Sequence, residues 1–188
     1  MKCFETLKYL NGHFFHLDYH SFRLNKTAKE LFGSKKTINL SKILNSVDRK
    51  EGLYRCKVIY TNRVKKVEFF KYIPRELKKF RFVEIDFDYK YKFLDRTTID
   101  SLDKSDCDDL ILIKNGLITD STIANIAVFD GKEWLTPKKT LLNGTTRAKL
   151  KFLQKKDLTK KDIINAQEMA LLNALIGFRK IKNPQFLN

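Results

Sequence analysis

Asp120 closes the run Leu117-Ile118-Thr119-Asp120 after the Asn115-Gly116 turn, and so places a carboxylate on a strand that reads as buried. A buried acid is electrostatically tolerable when a cation faces it. The plainer alternative is a turn cap made with Ser121 and Thr122. Further on, Asn143-Gly144-Thr145-Thr146-Arg147 stands just ahead of an expected helix. Free backbone N–H groups there can hold a phosphate, Gly144 permits close approach, and the threonine hydroxyls add donors. A simple helix cap at Thr145 accounts for the same residues.

Other chemistries find less support. His13 and His16, three apart on an expected strand, point to opposite faces, and His20 lies past the bend in a helix. Surface or packing roles fit these three histidines better than a metal site. Cys3, Cys56 and Cys107 are scattered, with no Cys-x-x-Cys spacing, so neither a disulfide framework nor a thiolate metal site is expected. The chain has no Gly-x-Ser-x-Gly elbow, no Gly-x-Gly-x-x-Gly and no Walker sequence.

The 188 residues are 43% apolar, enough for one domain or two small ones with a sizeable core. No apolar stretch approaches the ~20 residues that cross a bilayer. The start, MKCFETLKYL, lacks the apolar core of a signal peptide, so no membrane partner and a cytoplasmic location are expected. The net charge of +16 would suit a nucleic-acid binder. That charge is mostly lysine and spread along the whole chain, which fits solvated faces better, and nucleic acid is not the expected partner.

The elements that must position these residues begin with a hairpin at Asn11-Gly12, joining strands over 3–10 and 13–17. A helix should follow, capped by Asp18, carrying Arg23 in its first turns and stopped by Gly33. Leu40 to Val47 suggests a short helix, and Leu53 to Tyr60 and Val64 to Ile73 an antiparallel pair. Phe80 to Asp88 alternates as a strand with one wet face does, and the polar, tyrosine-rich DYKYKFLDRTT reads as a domain junction. Two domains are therefore expected, 1–88 and 89–188. Beyond the junction the pattern gives a helix over Arg96 to Leu102, then strands at Asp109 to Lys114, Leu117 to Asp120, Ile126 to Phe129 and Trp134-Leu135. Helices are expected over Thr145 to Phe152 and Thr159 to Ala166, and a core strand over Met169 to Ala174.

Taken in order, the motifs resemble those of the fold-type IV pyridoxal-phosphate (PLP) enzymes, the class IV aminotransferases and aminodeoxychorismate lyases. The matching stretches are Phe4-Glu5-Thr6, His20-x-x-Arg23-Leu24, Lys92-x-x-x-Arg96, DDLILIKNGLITDSTIAN, Leu135-Thr136-Pro137 and LLNGTTR, spread over nearly the whole chain. The resemblance implies an α/β (α+β) fold with a small α/β N-terminal domain and a mixed, barrel-like C-terminal domain, a homodimer, and a small amino substrate. It implies Lys92 as Schiff-base lysine and proton shuttle, with Arg23 and the Gly144-Thr145-Thr146 backbone on the cofactor phosphate. Asp120 falls beside the pyridine nitrogen and Asn125 among the cofactor contacts, with Arg96, Thr6, Asn173 and Ala174 in support. Lys90, two residues from Lys92, is the rival lysine.

The chain also departs from that pattern. A segment that normally precedes the Phe-Glu-Thr strand is missing, and the acid beside the ring is Asp120 where Glu is usual. The ending Glu168-Met169-Ala170-Leu171-Leu172-Asn173-Ala174-Leu175 is closer to that of aminodeoxychorismate lyases than to that of branched-chain aminotransferases. The resemblance thus favours a lyase releasing pyruvate and 4-aminobenzoate, in folate biosynthesis. A transaminase acting on branched-chain or D-amino acids comes second, and a non-catalytic basic nucleic-acid binder on the same scaffold third.

Overall fold

The computed structural model describes residues 1–47 and 51–187, and its chain divides into two compact units. The first comprises Met1–Pro74 and Tyr91–Asp95, the second Arg75–Lys90 and Arg96–Asn188.

In the first unit, β1 (Cys3–Leu10) turns at Asn11-Gly12 into β2 (His13–Phe14). Both turn residues have positive φ, 46° and 87°, the conformation that a tight type I′ hairpin demands and that Asn-Gly tolerates. Helix α1 (Leu17–Phe32) follows at once. Its cap position is His16, in the left-handed region and without a side-chain bond, and Asp18 sits in the first turn, where a carboxylate complements the helix N-terminus. Gly33, at φ 62°, ends the helix as the sequence suggests. After α2 (Leu40–Asn45), strands β3 (Leu53–Tyr60) and β4 (Val64–Lys71) complete an antiparallel sheet in the order β2-β1-β3-β4.

Alternation along β1 sends Cys3, Glu5, Leu7 and Tyr9 to one face. The three apolar members of that set pack with Leu24 and Ala28 of α1 and with Cys56, Val58 and Tyr60 of β3. Glu5, fully buried on the same face, is the one charged residue in the row.

Tyr91–Asp95 is laid along the edge of β1 that β2 leaves open. Cys3 and Phe93 form an antiparallel bridge, Phe4 N donates to Lys92 O at 2.9 Å, and Leu94 N to Lys2 O at 2.8 Å. The Tyr91 hydroxyl donates to Glu30 Oε2 of α1 at 3.0 Å.

The second unit begins with β5 (Lys79–Glu84), α3 (Thr97–Asp100), β6 (Asp109–Lys114), β7 (Leu117–Ser121), β8 (Asn125–Phe129) and β9 (Trp134–Pro137). It continues through α4 (Thr145–Lys149), β10 (Gln154–Lys156), α5 (Lys160–Ile164), β11 (Glu168–Asn173), β12 (Gly177–Ile181) and β13 (Gln185–Leu187). The strands run β10-β9-β8-β7-β6-β5-β13, with β11 pairing β8 and β12. The β5–β6, β13–β5 and β10–β9 ladders are parallel and the rest antiparallel, giving a mixed sheet. Its core gathers Phe80, Ile111, Ile126, Leu158 and Leu171, all fully buried.

The units do not divide at 88/89, where the sequence places the junction. Strand β5 pairs in parallel with β6, a partner about 30 residues away, and so belongs to the second unit, while Tyr91–Asp95 pairs with β1 and belongs to the first. Neither pairing is local, so composition alone carries no sign of it. The helices α3, α4 and α5 are also shorter than the sequence suggests. No helix among the described residues is long and apolar enough to cross a membrane.

Candidate active site

The residues singled out from the sequence divide between the units. Thr6, Arg23 and Lys92 lie in the first, and Arg96, Asp120, Asn125, Gly144, Thr145, Thr146, Asn173 and Ala174 in the second.

In the second unit, Asp120 on β7 is buried, with both carboxylate oxygens engaged. Asn125 Nδ2 donates to Oδ1 at 2.5 Å, and the Leu142 backbone N–H to Oδ2 at 2.9 Å. Burial pushes the Asp120 carboxyl up to about 7; the donors at Leu142 and Asn125 and the charge of Arg147 offset only part of that rise. No ion pair reaches Asp120 among the described residues, so its charged form lacks a direct cationic partner.

Asn125 spends its amide on the protein. Nδ2 donates to Leu142 O as well, at 2.9 Å, and Oδ1 accepts from Gly144 N at 3.1 Å. The approach is close enough that a Cβ on residue 144 would stand 2.0 Å from Asn125 Oδ1, which is the physical reason for glycine there. Just beyond, Thr145 and Thr146 open α4, both buried, and Thr146 Oγ1 has no hydrogen-bond partner among the described residues.

Arg147 closes the network from behind. Its Nε donates to Thr136 Oγ1 at 3.1 Å, Nη1 to Asn143 Oδ1 at 3.2 Å and Nη2 to Pro137 O at 2.6 Å. Thr136 and Pro137 thus anchor the arginine through β9. Arg96 donates from Nη2 to Thr122 O at 2.9 Å, and Thr122 in turn reaches the buried Asp109. Asn173 Oδ1 accepts from the N–H groups of Leu175 and Ile176 at 2.9 and 3.0 Å, shaping the β11–β12 turn in which Ala174 sits.

In the first unit, Lys92 is half-buried, with Nζ 4.8 Å from the centroid of the Phe4 ring. Lys57 lies over the same ring at 5.0 Å, and its register partner Thr6 shares the sheet face of Phe4. Lys90 is exposed and falls in the second unit.

Arg23 makes a two-point contact with Glu5, Nε to Oε1 at 2.9 Å and Nη2 to Oε2 at 2.6 Å. His20 Nδ1 lies 2.7 Å from the same Oε2. Burial pushes the Glu5 carboxyl up, but the Arg23 charge and the hydrogen bonds from His20 and Arg23 outweigh it and hold the group at about 2. Glu5 and His20 lie within two of the stretches that carry the resemblance, but the sequence assigns neither a role at the site. A second signal is parity: Glu5 occupies an apolar-parity position of β1, opposite the stripe of α1 that carries His20 and Arg23.

These residues fit a phosphorylated pyridine cofactor. Asp120 is a buried acid short of a cation, which a protonated ring nitrogen supplies, and Gly144 with the unpartnered Thr146 hydroxyl gives a close-approach donor set for an anion. Among the described residues, no three or more His, Cys, Asp or Glu side chains are grouped to hold a metal ion.

The model of the class IV amino-transferase family matches residues 100–183. The chain is 32% identical over 183 residues to an uncharacterised protein of Haemophilus influenzae, covering 93% of this chain and 97% of that one. It is also 32% identical to the crystal structure of a proposed 4-amino-4-deoxychorismate lyase from Haemophilus somnus, with TM-score 0.84 and coverage of 94% and 97%. A hypothetical aminotransferase from Mycobacterium tuberculosis in its PLP-bound form shares the fold at TM-score 0.78 and 15% identity, over 98% of this chain and 81% of that one. Given 32% identity along nearly the whole length of two relatives, together with the family match over β6 to β12, the chain belongs to the class IV aminotransferase family, the PLP-dependent enzymes of fold type IV.

Proposed function

We propose that this protein is a PLP-dependent lyase that converts 4-amino-4-deoxychorismate to pyruvate and 4-aminobenzoate. The observation that carries the PLP chemistry is Asp120, a buried acid without an ion-pair partner, fixed by Asn125 and Leu142 beside the Gly144–Thr146 turn. Support for the lyase comes from the Haemophilus somnus relative and from the Asn173-Ala174-Leu175 ending.

On this reading Lys92 holds the cofactor's aldehyde carbon, Arg23 and the amides of Thr145 and Thr146 its phosphate, and Asp120 its ring nitrogen. Bound there, PLP supplies an electron sink for the pair left when a proton departs from the carbon bearing the substrate amine. Asp120 keeps a proton on the ring nitrogen by offering a carboxylate in a dry site. Once the substrate amine has taken the place of Lys92 on the cofactor, the freed Nζ would take the proton from the amine-bearing ring carbon. Cleavage of the ether C–O bond then releases the enolpyruvyl group, which gains a proton on its methylene carbon to become pyruvate, and the six-membered ring is left aromatic.

The test has two parts. Borohydride treatment of the PLP-loaded protein should place the pyridoxyl label on Lys92, and the Lys92→Ala variant should take none; label on Lys90 would overturn the assignment. The loaded enzyme given 4-amino-4-deoxychorismate should form 4-aminobenzoate and pyruvate in equal amounts. Amino transfer from a small amino acid to a 2-oxo acid, with no 4-aminobenzoate formed, would replace the lyase with the aminotransferase reading that the family name favours.

A further inference from the structure

We propose that Glu5, held by His20, is the positioning residue for Arg23, orienting its guanidinium as the anchor for the cofactor's phosphate. The inference rests on the reading that Arg23 faces that phosphate.

Three features of the first unit carry it. Arg23 meets Glu5 along one edge, Nε and Nη2, in the parallel two-bond arrangement that fixes the guanidinium plane as well as its place. Glu5 itself cannot swing, because it is fully buried between β1 and α1 and its Oε2 also takes a bond from His20. His20 is fully buried too, and since an ionised carboxylate can only accept, its Nδ1 carries the proton in this pair. The order of restraint is therefore His20, then Glu5, then Arg23, each fixed by the one before.

The gradient of exposure points the same way. Glu5 and His20 side chains are 0% exposed while Arg23 is 16% exposed, so the chain of contacts starts in the core and ends at a guanidinium that reaches the surface of the unit. A surface arginine gives up rotamer freedom when an anion immobilises it. Here the core has already imposed that order, which raises anion affinity without any further contact. The charge of Glu5 acts in the opposite sense by partly neutralising Arg23. Preorganisation wins if removing the Glu5 charge weakens phosphate binding, and neutralisation wins if removal strengthens it.

The experiment compares binding of PLP with binding of pyridoxal, each followed by absorbance titration of the full-length apoprotein. The dissociation constant of pyridoxal divided by that of PLP isolates the phosphate, because the bond to the lysine is common to both ligands. Arg23→Gln should lower the ratio about tenfold or more, as expected for a lost charge-assisted contact. Glu5→Gln, with Arg23 intact, should lower it about three- to tenfold, the value of an immobilised side chain. His20→Asn, which keeps a donor near the position of Nδ1, should hold the ratio near that of the unaltered protein, whereas His20→Leu should lower it. If Glu5→Gln does not fold, the two His20 variants decide the question alone.

An unchanged or increased ratio in Glu5→Gln, or equal ratios in His20→Asn and His20→Leu, would overturn the positioning role while leaving Arg23 on the phosphate. An unchanged ratio in Arg23→Gln would remove Arg23 from the phosphate, and the inference with it. Circular dichroism and the thermal midpoint of each variant separate these outcomes from loss of the fold.

Discussion

Asn125 is hydrogen-bonded to Asp120 through one end of its amide and to the Gly144 N–H through the other. A single side chain therefore sets both the acid on β7 and the turn that leads into Thr145 and Thr146. Removing it takes the side-chain donor from buried Asp120 and leaves only backbone donors, and a buried acceptor deprived of a partner costs about 1–3 kcal/mol. Asn125→Ala is expected to lower the thermal midpoint and to weaken PLP and pyridoxal alike, as absorbance titrations of the two ligands would show. A loss confined to PLP would mean that Asn125 serves the turn and not the acid.

Gly144→Ala tests the same contact from the other side. The added Cβ would meet Asn125 Oδ1 at 2.0 Å, so the turn must shift or the Asn125–Asp120 bond must break. Cofactor affinity should fall about tenfold or more, and the double variant with Asn125→Ala should lose less than the sum of the two, since the obstructing oxygen is then gone.

Asp120 and Glu5 give opposite limbs to a stability-against-pH curve. The folded value of Asp120 is raised from 3.8 to about 7, so the folded state binds the extra proton between those values, and stability falls as pH rises through that window. The folded value of Glu5 is lowered from 4.5 to about 2, so its contribution is fully present above 4.5 and is lost as pH falls towards 2. The apoprotein should be most stable near pH 4–5 as far as these two groups decide it. Thermal melts of Asp120→Asn should flatten the neutral limb only, and those of Glu5→Gln the acid limb only.

Arg147→Met removes the donor to Thr136, Asn143 and Pro137 together. A loss of roughly 3 kcal/mol is expected in denaturant melts of the apoprotein. The Asp120 carboxyl should also move further up, because the Arg147 charge helps to hold it down. A pH titration of the Asp120 carbon resonance would show the direction.

Legibility in the sequence followed the range of the interaction. Asn11-Gly12 and Asn115-Gly116 announced their hairpins because two consecutive residues at positive φ are a local requirement, and both turns have that backbone. Strand β10 leaves no mark in the sequence, because Gln154, Lys155 and Lys156 are all exposed and offer no apolar alternation. Strands β12 and β13 are not among the elements the sequence pattern gives; β13 owes its existence to a parallel ladder with β5, a partner about a hundred residues earlier. At the site, Asp120 and Gly144 were visible as residues out of keeping with their surroundings. The reason for Asn125 was not, because its three partners become neighbours only when β7, β8 and the 141–144 loop meet. His20 read as a packing residue, and burial alone justifies that reading; its bond to Glu5 depends on the register of α1 on β1.

The return of Tyr91–Asp95 to the edge of β1 fixes a schedule for synthesis. The first unit is not a contiguous piece of chain, since the strip that carries Lys92 follows sixteen residues belonging to the second. A nascent chain released through Pro74 holds the four strands and both helices of the first unit, yet the edge at Cys3 stays open until residue 95 has left the ribosome. A stop placed after residue 74 yields a sheet with a bare edge and no Lys92, and a start placed at residue 75 yields Lys92 without the strand that bears it. No single cut separates the two units, and Lys92 gains its support only when synthesis has passed both ends of the loop.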